Sequence, residues 1–210
     1  TKKNPDLQKI KIISKKKLPE EKVNTNTIEI NEEKTSDSVL EKSKYISITN
    51  MKALELLMKD IYDLGYFVFD LETDSLNVID ANLIGVAICL SVKRSYYIPL
   101  AHKDEDGKII EEQIDFKEAL KQLNNILSNS SLIKIGHNIK YDIAVLKRYK
   151  IDVVSFEDTM LMSYINDAGN HRHGMDELAK VHFNRDTIKF KDVVGTGKSQ
   201  ITFDYVEIEK

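Results

Sequence analysis

The segment Phe67-Val68-Phe69-Asp70-Leu71-Glu72 constrains this chain more than any other. Phe67, Val68, Phe69 and Leu71 have the apolar, aromatic character of a buried strand. Two carboxylates stand at its exit, one residue apart. Side chains alternate along a strand with period two, so Asp70 and Glu72 leave the same face. Burying a lone carboxylate is costly. Two of them ending a core strand call for a neutralising partner, and a divalent cation shared between them would supply it.

The rest of the composition describes a globular protein. The chain has 210 residues, 31% charged and 41% hydrophobic, enough for one core plus an appendage. The net charge of −3 gives no global attraction to nucleic acid, so any such function must rest on local features. Cys89 lies in an apolar run and is expected to be a small core residue. No apolar stretch reaches the ~20 residues of a membrane helix and no signal peptide is visible, so a cytoplasmic protein is expected.

Residues 1–45 differ from the remainder. They are rich in Lys, Glu, Asn, Ser and Thr, with charge runs such as Lys15-Lys16-Lys17 and no aromatic residue before Tyr45. Such a segment cannot bury enough surface to offset its chain entropy, so it reads as a flexible charged linker or tail. The acids interleaved at 20–33 argue against a DNA-binding arm.

The folded part, 46–210, is expected to begin with a helix capped by Asn50, carrying Leu54, Leu57, Met58, Ile61 and Leu64 on one face and stopped by Gly65. Strands are expected at 66–71, 83–91 and 94–100, then a polar loop at 101–114 and an amphipathic helix at 115–128. A buried strand at 132–135 leads into a helix at about 139–149. Further helices fit 158–166 and 175–183, residues 184–201 read as irregular, and a last helix starts near Phe203. Three successive strands followed by alternating helix and strand predict an α/β fold with a mixed sheet flanked by helices.

Gly136-His137-Asn138-Ile139-Lys140-Tyr141-Asp142 is the second constellation. With a helix starting near 138, Asn138 and Asp142 would share a face, Tyr141 beside them. Asp142 would then project towards Asp70 and Glu72. Three converging carboxylates suit a hard cation, Mg²⁺ or Mn²⁺.

Asp-x-Glu-Thr-Asp-Ser-Leu at 70–76 and Asn-x-x-Tyr-Asp at 138–142 resemble the first two motifs of the DEDD exonuclease superfamily. The segments 97–102, 158–161, 172–179, 187–190 and 197–203 resemble the proofreading domains of bacterial DNA polymerase I. The resemblance covers roughly residues 48–208. It implies a ribonuclease-H-like fold and two-metal hydrolysis of the 3′-terminal phosphodiester of DNA. Asp70, Glu72 and Asp142 carry over as catalytic metal ligands for a Mg²⁺ or Mn²⁺ pair. Thr73, Asn138 and Tyr141 carry over as contacts to the terminal nucleotide and its backbone, Leu76 as a wedge against the terminal bases and Phe190 as a face that stacks on one of them. The implied partners are a single-stranded DNA 3′ end and the polymerase domain of the parent chain, with no membrane and a monomeric state.

The family also carries a fourth carboxylate in a Tyr-x-x-x-Asp pattern. Tyr205 and Glu209 form Tyr-x-x-x-Glu, but the flanking residues align upstream of that motif, so the chain is expected to end before it. Two other readings stand beside the DNA exonuclease. One is a catalytically incompetent module of the same fold that binds single-stranded DNA or supports a polymerase. The other is a ribonuclease trimming RNA 3′ ends, which the 2′-OH would distinguish. Asp70 and Glu72 could also be a solvated strand end, Asn138 a helix cap, and Leu76 or Phe190 ordinary packing. The five histidines lack zinc spacing. Gly195-Thr196-Gly197-Lys198-Ser199 lacks the first glycine of a phosphate loop.

Overall fold

A computed structural model describes residues 44–208. The tail reading of the first 43 residues, and Glu209, lie outside the described residues. A mixed six-stranded sheet runs in the order β1-β4-β3-β2-β5-β6. Its strands are β1 (Lys44–Ser47), β2 (Tyr66–Thr73), β3 (Leu83–Ser91), β4 (Arg94–Pro99), β5 (Ile133–Gly136) and β6 (Phe156–Asp158). The β2–β3 and β3–β4 pairs are antiparallel, and β1–β4, β2–β5 and β5–β6 are parallel. The helices are α1 (Met51–Leu64), α2 (Phe116–Leu127), α3 (Lys140–Arg148), α4 (Thr159–Asp167), α5 (Met175–Phe183) and the short α6 (Phe190–Val194).

Local signals set the first half. Asn50 caps α1 by accepting from the Ala53 N–H at 3.0 Å, and Gly65 ends it at φ 81°, donating to Ile61 O. Leu54, Leu57, Met58 and Ile61 are buried on its inner face. Asp115 caps α2 through two N–H groups, and α2 buries Ala119, Leu123, Ile126 and Leu127. Both helices join the core formed with Phe67, Phe69 and Leu71 of β2 and Val86, Ile88 and Leu90 of β3.

The other face of the sheet carries Val68, Asp70 and Glu72. Their direct partners on β3 are Cys89, Ala87 and Gly85. Directly opposed residues point to the same side, so three small residues leave room above the carboxylates. The ring of Tyr97 occupies part of that room: a Cβ placed on Gly85 would lie 2.0 Å from the Tyr97 hydroxyl.

Several elements differ from the sequence expectations. β2 runs to Thr73 instead of stopping at 71, so both carboxylates lie inside the strand. Two short edge strands, β1 and β6, are additional, and β1 includes Lys44 and Tyr45 from the end of the expected tail. In β5, Ile133 is 47% exposed while Lys134 is fully buried. Lys134 Nζ donates to Asn129 O at 2.6 Å and Leu132 O at 2.9 Å, which satisfies the buried amine. Burial also pulls its pKa below the ordinary lysine range. Cys89 is half-buried, with Sγ 3.1 Å from Ser91 O. The stretch after Phe203 is a single 3-10 turn, Phe203–Tyr205, followed by an extended Val206, where a helix was expected. The segment 184–201, expected to be irregular, holds α6 and a 3-10 turn at Gly197–Ser199.

Gly85→Ala should cost about 1–3 kcal/mol through overpacking, because the displaced atoms belong to a rigid ring. Urea denaturation of the variant beside the parent chain measures this.

Candidate active site

Asp142 lies in the first turn of α3 and is 3% exposed. Pairing of β5 with β2 ends at Val68–Ile135. Just beyond, the Leu71 N–H donates to Asp142 Oδ1 at 3.1 Å. That bond anchors the helix carboxylate to the backbone between Asp70 and Glu72.

The three acids feel one another. Burial pushes the Glu72 carboxyl up to about 7, and the charges of Asp70 and Asp142 add to the shift. Asp142 is also pushed up to about 7, by burial first and then by Asp70, against the pull of the Leu71 N–H. Asp70 reaches solvent, yet loss of surrounding water still raises its carboxyl; the Leu71 backbone and the neighbouring His137 oppose this. His137 Nδ1 pairs with Thr159 Oγ1 at 2.9 Å, and that hydroxyl donates to Gly136 O. Nδ1 therefore carries the proton, and Nε2 is buried without a protein partner.

The donor set is all oxygen and mutually repelling, which suits a hard divalent cation in kind. Among the described residues no three of His, Cys, Asp or Glu already form a closed ion-holding group. The site is an open face of carboxylates that an ion would have to draw together. Asp70, Glu72 and Asp142 are the residues that could hold it.

Asp158 is not a spare ligand. It caps α4, accepting from the Met160 and Leu161 N–H groups, and its two oxygens also accept from the Asn138 and Ile139 N–H groups at 3.1 Å. This carboxylate fixes the turn that precedes α3. Its role was missed from the sequence, although an Asp directly before a helical run is a recognisable cap signal.

A cleft of about 340 Å³ opens beside Glu72. Thr73, Leu76, Tyr141 and Phe190 line it, as does Phe203. Leu76 is 92% exposed and Phe190 58% exposed, so neither is ordinary core. Phe203, unassigned from the sequence, lies nearly parallel to Phe190, with ring centroids 6.4 Å apart and planes 14° off. A register shift between Glu72 and Thr73 adds a residue on β3, a bulge of the kind that re-aims side chains beside sites. The Thr73 and Tyr141 hydroxyls lie 2.6 Å apart, and both donate to Ser75 O.

Asn138 is the exception. It has φ 60°, outside α3, and its N–H is held by Asp158. Its relation to Asp142 is therefore not that of two residues on one helix face, and it does not line the cleft. The left-handed conformation suits asparagine better than most residues.

Residues 45–205 match the protein-family model described as 3'-5' exonuclease. The chain belongs to this exonuclease family. It is 37% identical over 182 residues to a DNA polymerase I of Rhizobium leguminosarum, covering 80% of this chain. It is 32% identical over 170 residues to a DNA polymerase I of Pseudomonas aeruginosa, covering 79%. In each case the match spans 18% of the relative's length. Among solved structures, Escherichia coli RNase D superposes with a TM-score of 0.53 at 17% identity, over 70% of this chain and 36% of that one. The fold is thus ribonuclease-H-like, as expected. Among the described residues no helix is long and apolar enough to cross a membrane.

An acid whose folded pKa exceeds its unfolded value holds its proton more tightly in the native state. The stability it contributes is full below the unfolded pKa and is lost as the pH rises through the folded one. For Glu72 and Asp142 that window runs from their ordinary values of 4.5 and 3.8 up to about 7. Without divalent ions, the melting temperature of Asp142→Asn should exceed that of the parent by a few degrees at pH 8, with the gap closing at pH 4. The amide oxygen keeps the Leu71 bond. Differential scanning fluorimetry across that range measures the difference, and a gap independent of pH would contradict the assignment.

Proposed function

We propose that this chain is the 3′–5′ proofreading exonuclease of a DNA polymerase I and removes the 3′-terminal nucleotide of DNA. The observation that carries this reading is the convergence of Asp70, Glu72 and Asp142, held by the Leu71 N–H, beside a cleft lined by exposed Leu76 and Phe190. Asp70, Glu72 and Asp142 would hold two divalent ions, Mg²⁺ or Mn²⁺. When bound, such a pair supplies an activated water and stabilises the leaving oxygen.

The chain's own residues do the remaining work. Glu72 would also orient the attacking water. Phe190 offers a flat face to a terminal base, and stacking tolerates any base, as proofreading requires. Leu76 wedges against the adjoining base. The hydroxyls of Thr73 and Tyr141, both bonded to Ser75 O, fix the wall along which the sugar-phosphate lies, and Asn138, outside the cleft itself, would meet the nucleotide only where it extends to the turn before α3. The partners on this reading are a single-stranded 3′ end and a polymerase domain of the parent protein, with the enzyme acting as a monomer in the cytoplasm.

The test is release of nucleotides from 5′-labelled single-stranded DNA with Mg²⁺ or Mn²⁺, using this chain and the full-length product of its gene. Asp70→Ala and Asp142→Ala should each lower the rate at least about 100-fold, since charge stabilisation by metal is worth several kcal/mol. Unchanged digestion in those variants would sink the proposal. Inactivity of both proteins, with binding of single-stranded DNA retained, would favour the binding module. A preference for RNA of the same sequence would favour the ribonuclease.

Phe190→Ala should raise KM about 5- to 160-fold, matching 1–3 kcal/mol of stacking per base, with a smaller effect on kcat. Steady-state kinetics on oligonucleotides decide this, and an unchanged KM would return Phe190 to a packing role.

A further inference from the structure

The loop after β4 makes contacts that the exonuclease reading leaves unused. His102 is 1% exposed, and both ring nitrogens are engaged. Nδ1 lies 2.8 Å from Val206 O and Nε2 lies 2.6 Å from the Tyr97 hydroxyl. A backbone carbonyl can only accept, so Nδ1 carries the proton. Burial pulls the imidazole pKa down and favours the neutral ring. Nε2 is then an acceptor, and Tyr97 donates to it.

At its other end this pair meets the carboxylates. The Tyr97 hydroxyl covers Gly85, the direct cross-strand partner of Glu72. Gly85 and Glu72 share a face of the sheet, so the phenol stands beside the Glu72 side chain. Burial, and secondarily the charge of Glu72, push the phenol pKa upward.

The segment Phe203–Val206 depends on the same loop. It has one 3-10 turn that packs against β2 without joining the sheet, and it buries Asp204 and Val206. Lys103 holds Asp204 twice, by its N–H to Asp204 O at 2.7 Å and by Nζ to Oδ2 at 2.7 Å. The His102 ring packs on Phe203 with centroids 5.8 Å apart, and Phe203 in turn lies against Phe190 at the cleft.

We propose that Tyr97 and His102 are a positioning pair, coupling the Glu72 carboxylate to the Phe203–Val206 segment, whose Phe203 walls the nucleotide cleft. Neither residue touches substrate. Tyr97, its proton given to His102, limits the space of the Glu72 side chain by packing beside it, and His102 restrains the aromatic wall. The inference rests on the exonuclease reading of the cleft, but its clamp is open to test without any turnover.

Two half-replacements of one ring separate the two tasks. His102→Asn keeps a donor near the place of Nδ1 and loses the acceptor for Tyr97. His102→Gln keeps a polar group near the place of Nε2 and loses the bond to Val206. Tyr97→Phe removes only the hydroxyl. Amide hydrogen exchange over residues 203–208 reads the clamp, and kinetics on single-stranded DNA read the site. His102→Gln should speed exchange in that segment at least about tenfold and raise KM. His102→Asn and Tyr97→Phe should leave exchange unchanged and lower kcat about 10- to 100-fold, the usual loss for an outer-sphere partner of a metal ligand.

Exchange unchanged in His102→Gln would overturn the clamp. Equal loss of kcat and gain of KM in all three variants, tracking their melting temperatures, would reduce the pair to ordinary core. If the unsubstituted protein digests no DNA under any condition, the exonuclease reading fails, and the exchange result still decides whether His102 holds the segment.

Discussion

The bond from the Leu71 N–H to Asp142 Oδ1 connects the two halves of this site. A sheet edge beyond the last residue pair of β5 would otherwise leave a strand N–H without a partner inside protein, at a cost comparable to a lost hydrogen bond. Asp142 removes that cost and is located by it. The carboxylate is delivered from the start of α3, where the helix dipole favours negative charge. Asp158 sets the approach of α3 by collecting four N–H groups from the turn before it and from α4. One buried acid thus acts as scaffold while another, 16 residues away in sequence, is left with acceptor capacity for chemistry.

Space above the sheet is the second constraint. Gly85, Ala87 and Cys89 alternate along β3 on the carboxylate face, while Val86, Ile88 and Leu90 fill the core face. A larger residue at 85 would drive out the Tyr97 ring, and with it the neutral partner standing beside Glu72. The strand therefore reads as wholly apolar but is divided by size: bulky inward, small towards the site.

Much of this was legible in the sequence, because local signals and periodicity agreed. Asn50 and Gly65 mark helix ends that the structure reproduces. The spacing of Asp70 and Glu72 placed both on one face, and Thr73, Leu76, Tyr141 and Phe190 do gather at one cleft. The failures have physical causes. Lys134 is buried because two carbonyls meet its amine, a tertiary fact with no signature in a hydropathy pattern. Asn138 was placed on a helix face because helix periodicity was extended through a residue that adopts φ 60°. β1 and β6 are three- or four-residue edge strands, too short for alternation to register. The pairing of His102 with Val206 spans 104 positions and could not be read from spacing at all.

The carboxylate cluster sets stability against function. Asp70 raises the proton affinity of both Glu72 and Asp142, and Asp142 that of Glu72, so the ionised cluster opposes the fold that brings it together. A sequence selected only for stability would place an amide or an apolar residue at 142. The hydrogen bond to Asp142 comes instead from a neutral group, the Leu71 N–H, and the polar groups around the acids are already satisfied: the hydroxyls of Thr73 and Tyr141 by Ser75, the Tyr97 phenol by His102. No Lys or Arg is paired with any of the three among the described ion pairs. A built-in cation would have stabilised the fold and occupied the position that the proposed reading gives to a divalent ion. Leaving the negative charge uncompensated costs stability and keeps the site receptive, a trade common where local rules are broken for function.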